Sequence, residues 1–357
     1  MPIPFILAGV AVVTGAVGLT KGVQAISNNS EANDIIAQAE YIFEDAKERL
    51  EESRQTTTEE LNRLGELKLD VWSHDIGLFI ELFKDFKNVK LENNVELDSN
   101  LEAKIHDGTQ TMLNMETASL KASEVMNAGV GSLGAGALAG IASYGGAMMF
   151  ASASTGTAIS ALSGVAATNA TMAWFGGGSL AAGGLGMAGG AAVLGGIVMG
   201  PVLAVAGFLM KAKSDENFSN ARKTYRQAEH AVEEMETAMT ILSGISGLAE
   251  NYSHFIYSFR AQYQAVLSKL EAVRNRNREI QSRSISNRVK GVFGGKFKID
   301  FEKLDVSEQK FLQVALVMSQ LLNMVLATAL LTQNSNLNEE AVNILETVKN
   351  SVPRLTM

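Results

Sequence analysis

The chain of 357 residues contains no cysteine. Disulfides, zinc–thiolate sites and cysteine-held iron–sulfur clusters are therefore excluded, and a cytoplasmic and an exported protein fit that absence equally well. Proline is scarce, at four residues, and only 6% of the chain is aromatic. The 46% of hydrophobic residues is carried mainly by Ala, Leu and Met, which favours helices over β-sandwiches or barrels. Positive charge is in deficit: the net charge of −8 argues against a nucleic-acid partner, because phosphate neutralisation leads that kind of binding. Histidine is limited to His74, His106, His230 and His254, each isolated, with no HExxH, GxSxG or di-metal pattern around it. Catalytic, cofactor-binding and metal-binding residues are all expected to be absent, so an enzyme is not expected.

Two stretches imitate nucleotide sites. Gly184-Leu185-Gly186-Met187-Ala188-Gly189 matches GxGxxG, but it lacks both a preceding strand pattern and an acid about 20 residues on. GVFGGK at 291–296 has one residue too few between its first glycine and the Gly-Lys pair for a phosphate-binding P-loop.

The most informative absence is charge in the middle of the chain. From 125 to 210, 86 positions, there is no Asp, Glu, Lys, Arg or His, and 21 of the 33 glycines fall there. A soluble helix needs a wet outer face, so something must cover this run: lipid, the rest of the protein, or other copies of the chain. It is too rich in Leu, Ile, Val and Met for a flexible linker. Small residues recur at every fourth position in Gly184, Ala188, Ala192, Gly196, Gly200 and Ala204, and again in Ala128, Ser132, Gly136 and Gly140. Such stripes let helix backbones approach closely, which is how helices associate in lipid. Residues 191–210 form a plausible 20-residue span ending at Lys211 and Lys213, and Pro201 is better tolerated in a membrane than in water.

Within 174–190, WFGGGSLAAGGLGMAGG, Trp174 and Phe175 followed by Gly176, Gly177 and Gly178 read as the tip of a helical hairpin with arms at 128–175 and 179–210. An even number of crossings would return Lys121 and Lys213 to one side. Hydroxyl and amide residues from Thr155 to Thr171 fit either a pore lining or a buried hairpin.

The flanking segments are charged and periodic. Residues 1–27 begin with an apolar stretch, 2–20, which reads as a retained helix because only the terminal amine precedes it in place of a basic signal-peptide start. Residues 28–125 carry amphipathic helices through Ile36, Ala39, Phe43, Ala46 and Leu50, then Leu61, Leu64 and Val71, with Thr56-Thr57-Thr58 as a weak point. Residues 211–280 form a heptad-patterned helix reaching roughly 80 Å from its first to its last periodic residue, with a slip at Gly244 and Gly247. The basic stretch Arg274, Arg276, Arg278, Arg283, Arg288, Lys290, Lys296 and Lys298 includes a glycine-bearing loop at 281–300. It could hold anionic lipid headgroups or admit a protease, or it is a solvated helix end and loop. In the C-terminal helical region, 301–357, the 22 uncharged residues 311–332 read as a buried bundle helix, with a membrane span as the alternative. The expected fold is all-α: an elongated antiparallel helical bundle, built on the two long rods, that carries an apolar Gly/Ala-rich helical hairpin at 126–210.

The run SGVAATNATMAWFGGGSLAAGGLGMAGGAAVLGGIVMGPVLAVAGF, 163–208, resembles the glycine-rich apolar segment of apolipoprotein L-like proteins and their bacterial glycine-zipper relatives, within the wider group of α-helical pore-forming proteins. The resemblance covers mainly 126–210 and carries no catalytic residue. It implies permeabilisation of membranes in conflict and immunity, including bacterial antiviral defence. The expected function is thus a membrane-inserting, pore-forming effector that exposes the hairpin, inserts and oligomerises. Its partners would be a lipid bilayer, further copies of itself and an activating protease or other trigger. Its place would be the inner membrane of the bacterium whose cytoplasm makes it. The alternative is a non-lytic, membrane-anchored coiled-coil scaffold.

Overall fold

A computed structural model describes residues 30–89, 108–130, 137–145, 218–282, 298–332 and 337–355. The hairpin tip Trp174 to Gly178, the stripe Gly184 to Ala204, Gly136, and the N-terminal stretch 1–27 lie outside the described residues.

Helix α1, Ser30–Asp70, buries Ile36, Ala39, Phe43, Ala46 and Leu50 on one face. The three threonines expected to weaken it do not interrupt it. Thr57 is buried, and its hydroxyl donates to the Ser53 carbonyl at 2.8 Å and can also reach the Leu242 carbonyl on a neighbouring helix at 3.2 Å. Helix α1 runs without a cap into a π-helical turn, Val71–Ile76, and then into α2, Gly77–Lys84. Val71, Trp72, Asp75 and Ile76 of this turn are buried. After the two-residue strand β1, Phe86–Lys87, come α3, Gly108–Ala128, and the short α4, Ala137–Tyr144.

Helix α5, Phe218–Ser282, has 65 residues and is about 98 Å long at 1.5 Å per residue. It continues through Gly244 and Gly247. At Gly244 the missing side chain leaves room for Leu337, whose Cδ1 lies 3.0 Å from where a Cβ would be. Strand β2, Ile299–Asp300, pairs in parallel with β1 through Phe86–Ile299 and Lys87–Asp300. A capping box of Asp305 and Glu308 opens α6, Val306–Ala327, and α7, Glu339–Leu355, closes the described chain.

The antiparallel arrangement expected for the two long rods is not found. Ile36 packs with Ala221, Arg49 lies 3.9 Å from Glu236, Thr57 meets Leu242, Gln264 donates to Asp75 at 3.0 Å, and Arg274 approaches Asp85 at 3.9 Å. The partner numbers rise together, so α1–α2 and α5 run parallel. Apolar periodicity settles which face of a helix is buried but not its direction, which depends on how the intervening chain returns. Helix α3 does run antiparallel to α2, since Ser123 meets Ser73 at 3.0 Å and Glu116 pairs with Lys84. Helix α6 is antiparallel to α5, with Glu308 against Asn277 and Ser319 against Tyr263.

Two regions result. One large apolar cluster, from Leu61 to Leu355, unites the seven described helices in a head. Beyond it, among the described residues, α1 and α5 continue as a two-helix stalk, held by Ala39, Phe43, Ala46 and Leu50 against Ala228, Ala231, Met235, Ala238 and Leu242. Ser30 and Phe218 lie at the stalk tip.

Helix α6 is long and apolar enough to cross a membrane, yet 72% of its most apolar window is buried in the head. Its polar residues account for this position. Asn323 accepts a hydrogen bond from the Trp72 indole at 2.9 Å, and Ser319 contacts the Tyr263 hydroxyl at 2.5 Å.

Candidate functional site

The uncharged run can be followed structurally only where it leaves the head. Val125 and Met126, in the last turn of α3, pack on the head core. The expected helical arm starting at 128 does not form as one piece. Helix α3 ends at Ala128, Gly129 has φ of 83°, α4 begins at Ala137, and Gly145 at φ 52° follows its end. Ala128 and Gly140, expected on one small-residue stripe, therefore sit on different helices.

Close helix packing is nevertheless present, with its key glycine on the opposite helix. Gly140 is buried in α4. Its neighbour Leu138 presses its backbone against Gly65 of α1, where an added Cβ would lie 2.1 Å from the Leu138 carbonyl oxygen. Gly145 makes a second such approach: a Cβ there would fall 2.4 Å from the Ala327 oxygen, and its φ favours glycine.

Both ends of α4 are held by side chains of α1. The Asn62 carboxamide oxygen accepts from the Ala139 amide at 3.0 Å, satisfying one orphan donor of the first turn. At the other end Lys68 donates to the Ala142 carbonyl at 3.1 Å and to the Thr328 carbonyl, at the C-terminus of α6, also at 3.1 Å. The Leu331 amide donates to the Ser143 carbonyl at 2.9 Å. One lysine thus closes the carbonyl ends of two helices.

Lys68 is fully buried, and no carboxylate pairs with it among the described residues. Its Nζ lies 5.6 Å from the centre of the Tyr252 ring, and the Tyr252 hydroxyl donates to the Ala341 carbonyl at 2.8 Å. Helix C-terminal dipoles favour a cation by roughly 0.3–2 kcal/mol each. Removing an ammonium from water costs several kcal/mol. Burial wins, lowering the amine from 10.5 to about 7. Lysines with lowered pKa can act as nucleophiles. Here full burial and donation to two backbone carbonyls leave no approach for a substrate.

A polar layer lies one turn further along α1. Arg260 of α5 approaches Asp70 at 2.5 Å and Asp75 at 2.8 Å, and Gln264 donates to the other Asp75 oxygen. The contact with Asp75 is made by charge rather than by an aligned hydrogen bond. Burial raises the Asp75 carboxyl above its ordinary value, with Gln264 and Arg260 acting against that rise.

The basic stretch divides. Arg274, Arg276 and Arg278 belong to α5 and face acids: Arg274 lies 3.2 Å from Glu271, Arg276 lies 3.5 Å from Glu308, and Arg278 lies 3.8 Å from Asp85. Lys298 is exposed beside β2, while Arg283, Arg288, Lys290 and Lys296 lie outside the described residues. His74, His230 and His254 sit on the surface beside Asp70, Glu234 and Glu250. Among the described residues no cluster of three metal-ligating side chains occurs.

Of the two lysines that flank the uncharged run, Lys121 lies on α3 and Lys213 lies outside the described residues. Glu124 lies beside the π turn of the head, whereas Phe218 lies at the stalk tip, about 60 Å away measured along α1. Comparison of the chain with protein-family models, with curated proteins and with solved structures finds no match.

Proposed function

We propose that this chain is a membrane-inserting helical protein whose uncharged segment inserts into a bilayer, associates with copies of itself and forms a pore. The observation that carries the reading is the run of 86 uncharged residues with its fourfold-spaced small residues. A run of that length cannot give each of its helices a wet face, and close-packing stripes serve helix association in lipid. The buried α4 is consistent with it: Ala139, Ile141, Ala142 and Tyr144 pack the first part of the run into the head core, alongside backbone contacts and one lysine. The target is a bilayer, with anionic lipids favoured if the basic residues at 283–298 contact headgroups. The site of action would be the bacterial inner membrane, and a protease or another trigger protein would release the run.

A second reading, a non-lytic membrane-anchored scaffold, has its own support. The parallel stalk brings Ser30 and Phe218 to one tip, and these residues follow the apolar stretch 2–20 and the uncharged run, respectively. Two anchors at one end would hold the stalk and head away from a membrane.

Dye release and flotation with anionic liposomes, before and after limited proteolysis, separate the readings. Release with flotation supports the pore, and flotation without release supports the scaffold. Failure of both before and after proteolysis counts against membrane action. For the pore, the double variant Gly196→Ile/Gly200→Ile should abolish release by bulking the packed face. Unchanged leakage from it would remove that interface.

A further inference from the structure

We propose that Lys68 is a proton-sensitive latch, whose neutral amine ties the C-terminal ends of α4 and α6 together and whose protonation frees α4 from the head. The inference rests on the membrane-inserting reading for its consequence, since α4 is the head-bound start of the uncharged run. Its chemistry stands on the site alone.

A neutral amine has two N–H donors, and two backbone carbonyls, those of Ala142 and Thr328, receive them at 3.1 Å each. An ammonium adds a third donor and a full charge in a place with no solvent. Among the described residues no surrounding element supplies a compensating carboxylate. On α1 itself Glu66 is exposed and Asp70 is engaged by Arg260. Helix α4 carries only Tyr144 as a titratable group, and the last turns of α6 carry none. From α5 the neighbour is Tyr252, whose hydroxyl burial holds in its neutral form. From α7 it is Glu340, whose charge acts on the Tyr252 hydroxyl.

The sign follows from linkage. With α4 docked, the amine titrates near 7. Released into water, it returns to about 10.4. Between those values the released state binds the extra proton, so docking strengthens as pH rises and weakens as pH falls. The linkage gives an increase in α4 opening of about fiftyfold from pH 9 to pH 7, and less than about twofold more from pH 7 to pH 6.

The test is hydrogen exchange of the full chain in lipid-free solution from pH 6 to 9, expressed as protection factors normalised for intrinsic exchange. Protection of the amides of 139–145 should fall by that factor between pH 9 and 7 while the centres of α5 and α6 stay protected. Lys68→Met should abolish the slope, and Lys68→Arg, always charged, should show low protection without a slope. Asn62→Ala, which removes the cap at the far end of α4, should lower protection at every pH and keep the slope. Protection of 139–145 independent of pH in the unaltered chain, or a slope retained in either Lys68 variant, overturns the latch. Flotation on liposomes at the same pH values, before and after limited proteolysis, judges the other reading separately. A slope without flotation leaves the latch standing and removes the membrane reading; flotation without a slope does the reverse.

Discussion

Gly65 of α1 and Leu138 of α4 meet backbone to backbone, so that a methyl group on Gly65 would overlap the Leu138 carbonyl oxygen at 2.1 Å. No rotamer can relieve that overlap, because both partners are main chain. Gly65→Ala should therefore destabilise the protein by about 1–3 kcal/mol and expose α4, despite alanine's better helix propensity. Gly247 of α5 is the control, since nothing lies within 4 Å of its missing side chain. Gly247→Ala should stabilise by about 0.5–1 kcal/mol. Urea unfolding of the two variants checks both signs, and a neutral or stabilising Gly65→Ala would mean that α4 does not sit on α1.

Arg260 bridges Asp70 and Asp75, and Asp75 is almost wholly buried. Arg260→Met removes the only cation paired with Asp75 among the described residues. Breaking a buried pair from one side costs about 3–5 kcal/mol. Asp75→Asn keeps a group that can bond Gln264 and removes the buried charge, so it should cost clearly less. The double variant Arg260→Met/Asp75→Asn should recover part of the loss, and simple additivity would deny the coupling. A pH dependence accompanies it. The folded Asp75 carboxyl lies above its unfolded value, so its contribution to stability is present below the unfolded pKa and is lost as pH rises through the folded one. Asp75→Asn should remove that component from the acid limb of the stability profile.

Much of this organisation is legible in the sequence, and the missing parts have physical causes. The helical class, the buried face of α1 and the uncharged run follow from residue type and spacing. The latch left a faint mark: the apolar steps Leu61, Leu64 and Val71 skip a position in the stripe, and Lys68 occupies it. A lysine on an apolar stripe ordinarily turns its amine to water. Only the carbonyls of Ala142 and Thr328, far apart in the chain, make burial workable here. Gly65 is hidden for a similar reason, because its purpose lies in the backbone of another helix. The direction of α5 relative to α1 was unreadable because a heptad pattern is the same whichever way the partner runs.

Asn323 receives the Trp72 indole N–H at 2.9 Å inside the head. Asn323→Leu would make α6 more apolar yet leave that donor buried without a partner, a loss of about 1–3 kcal/mol. A gain in stability would show that the indole finds another acceptor. Trp72 fluorescence, read in a Trp174→Phe background, should shift as the indole loses its partner.

The parallel stalk can be tested by direct chemistry because the chain has no cysteine of its own. Ile36 and Ala221 pack together near the stalk tip, whereas Ile36 and Leu242 belong to different levels of the stalk. If the helices run parallel, mild oxidation of Ile36→Cys/Ala221→Cys should link the two helices within one chain, seen as altered mobility that reductant reverses. Twenty-one positions separate Ala221 from Leu242 on α5, about 30 Å at 1.5 Å per residue. A disulfide needs α-carbons within about 7 Å. Ile36→Cys/Leu242→Cys should therefore stay unlinked under the same conditions. An antiparallel stalk would reverse the outcome, linking the second pair and sparing the first. That result would move Phe218 away from Ser30 and remove the basis for two anchors at one tip.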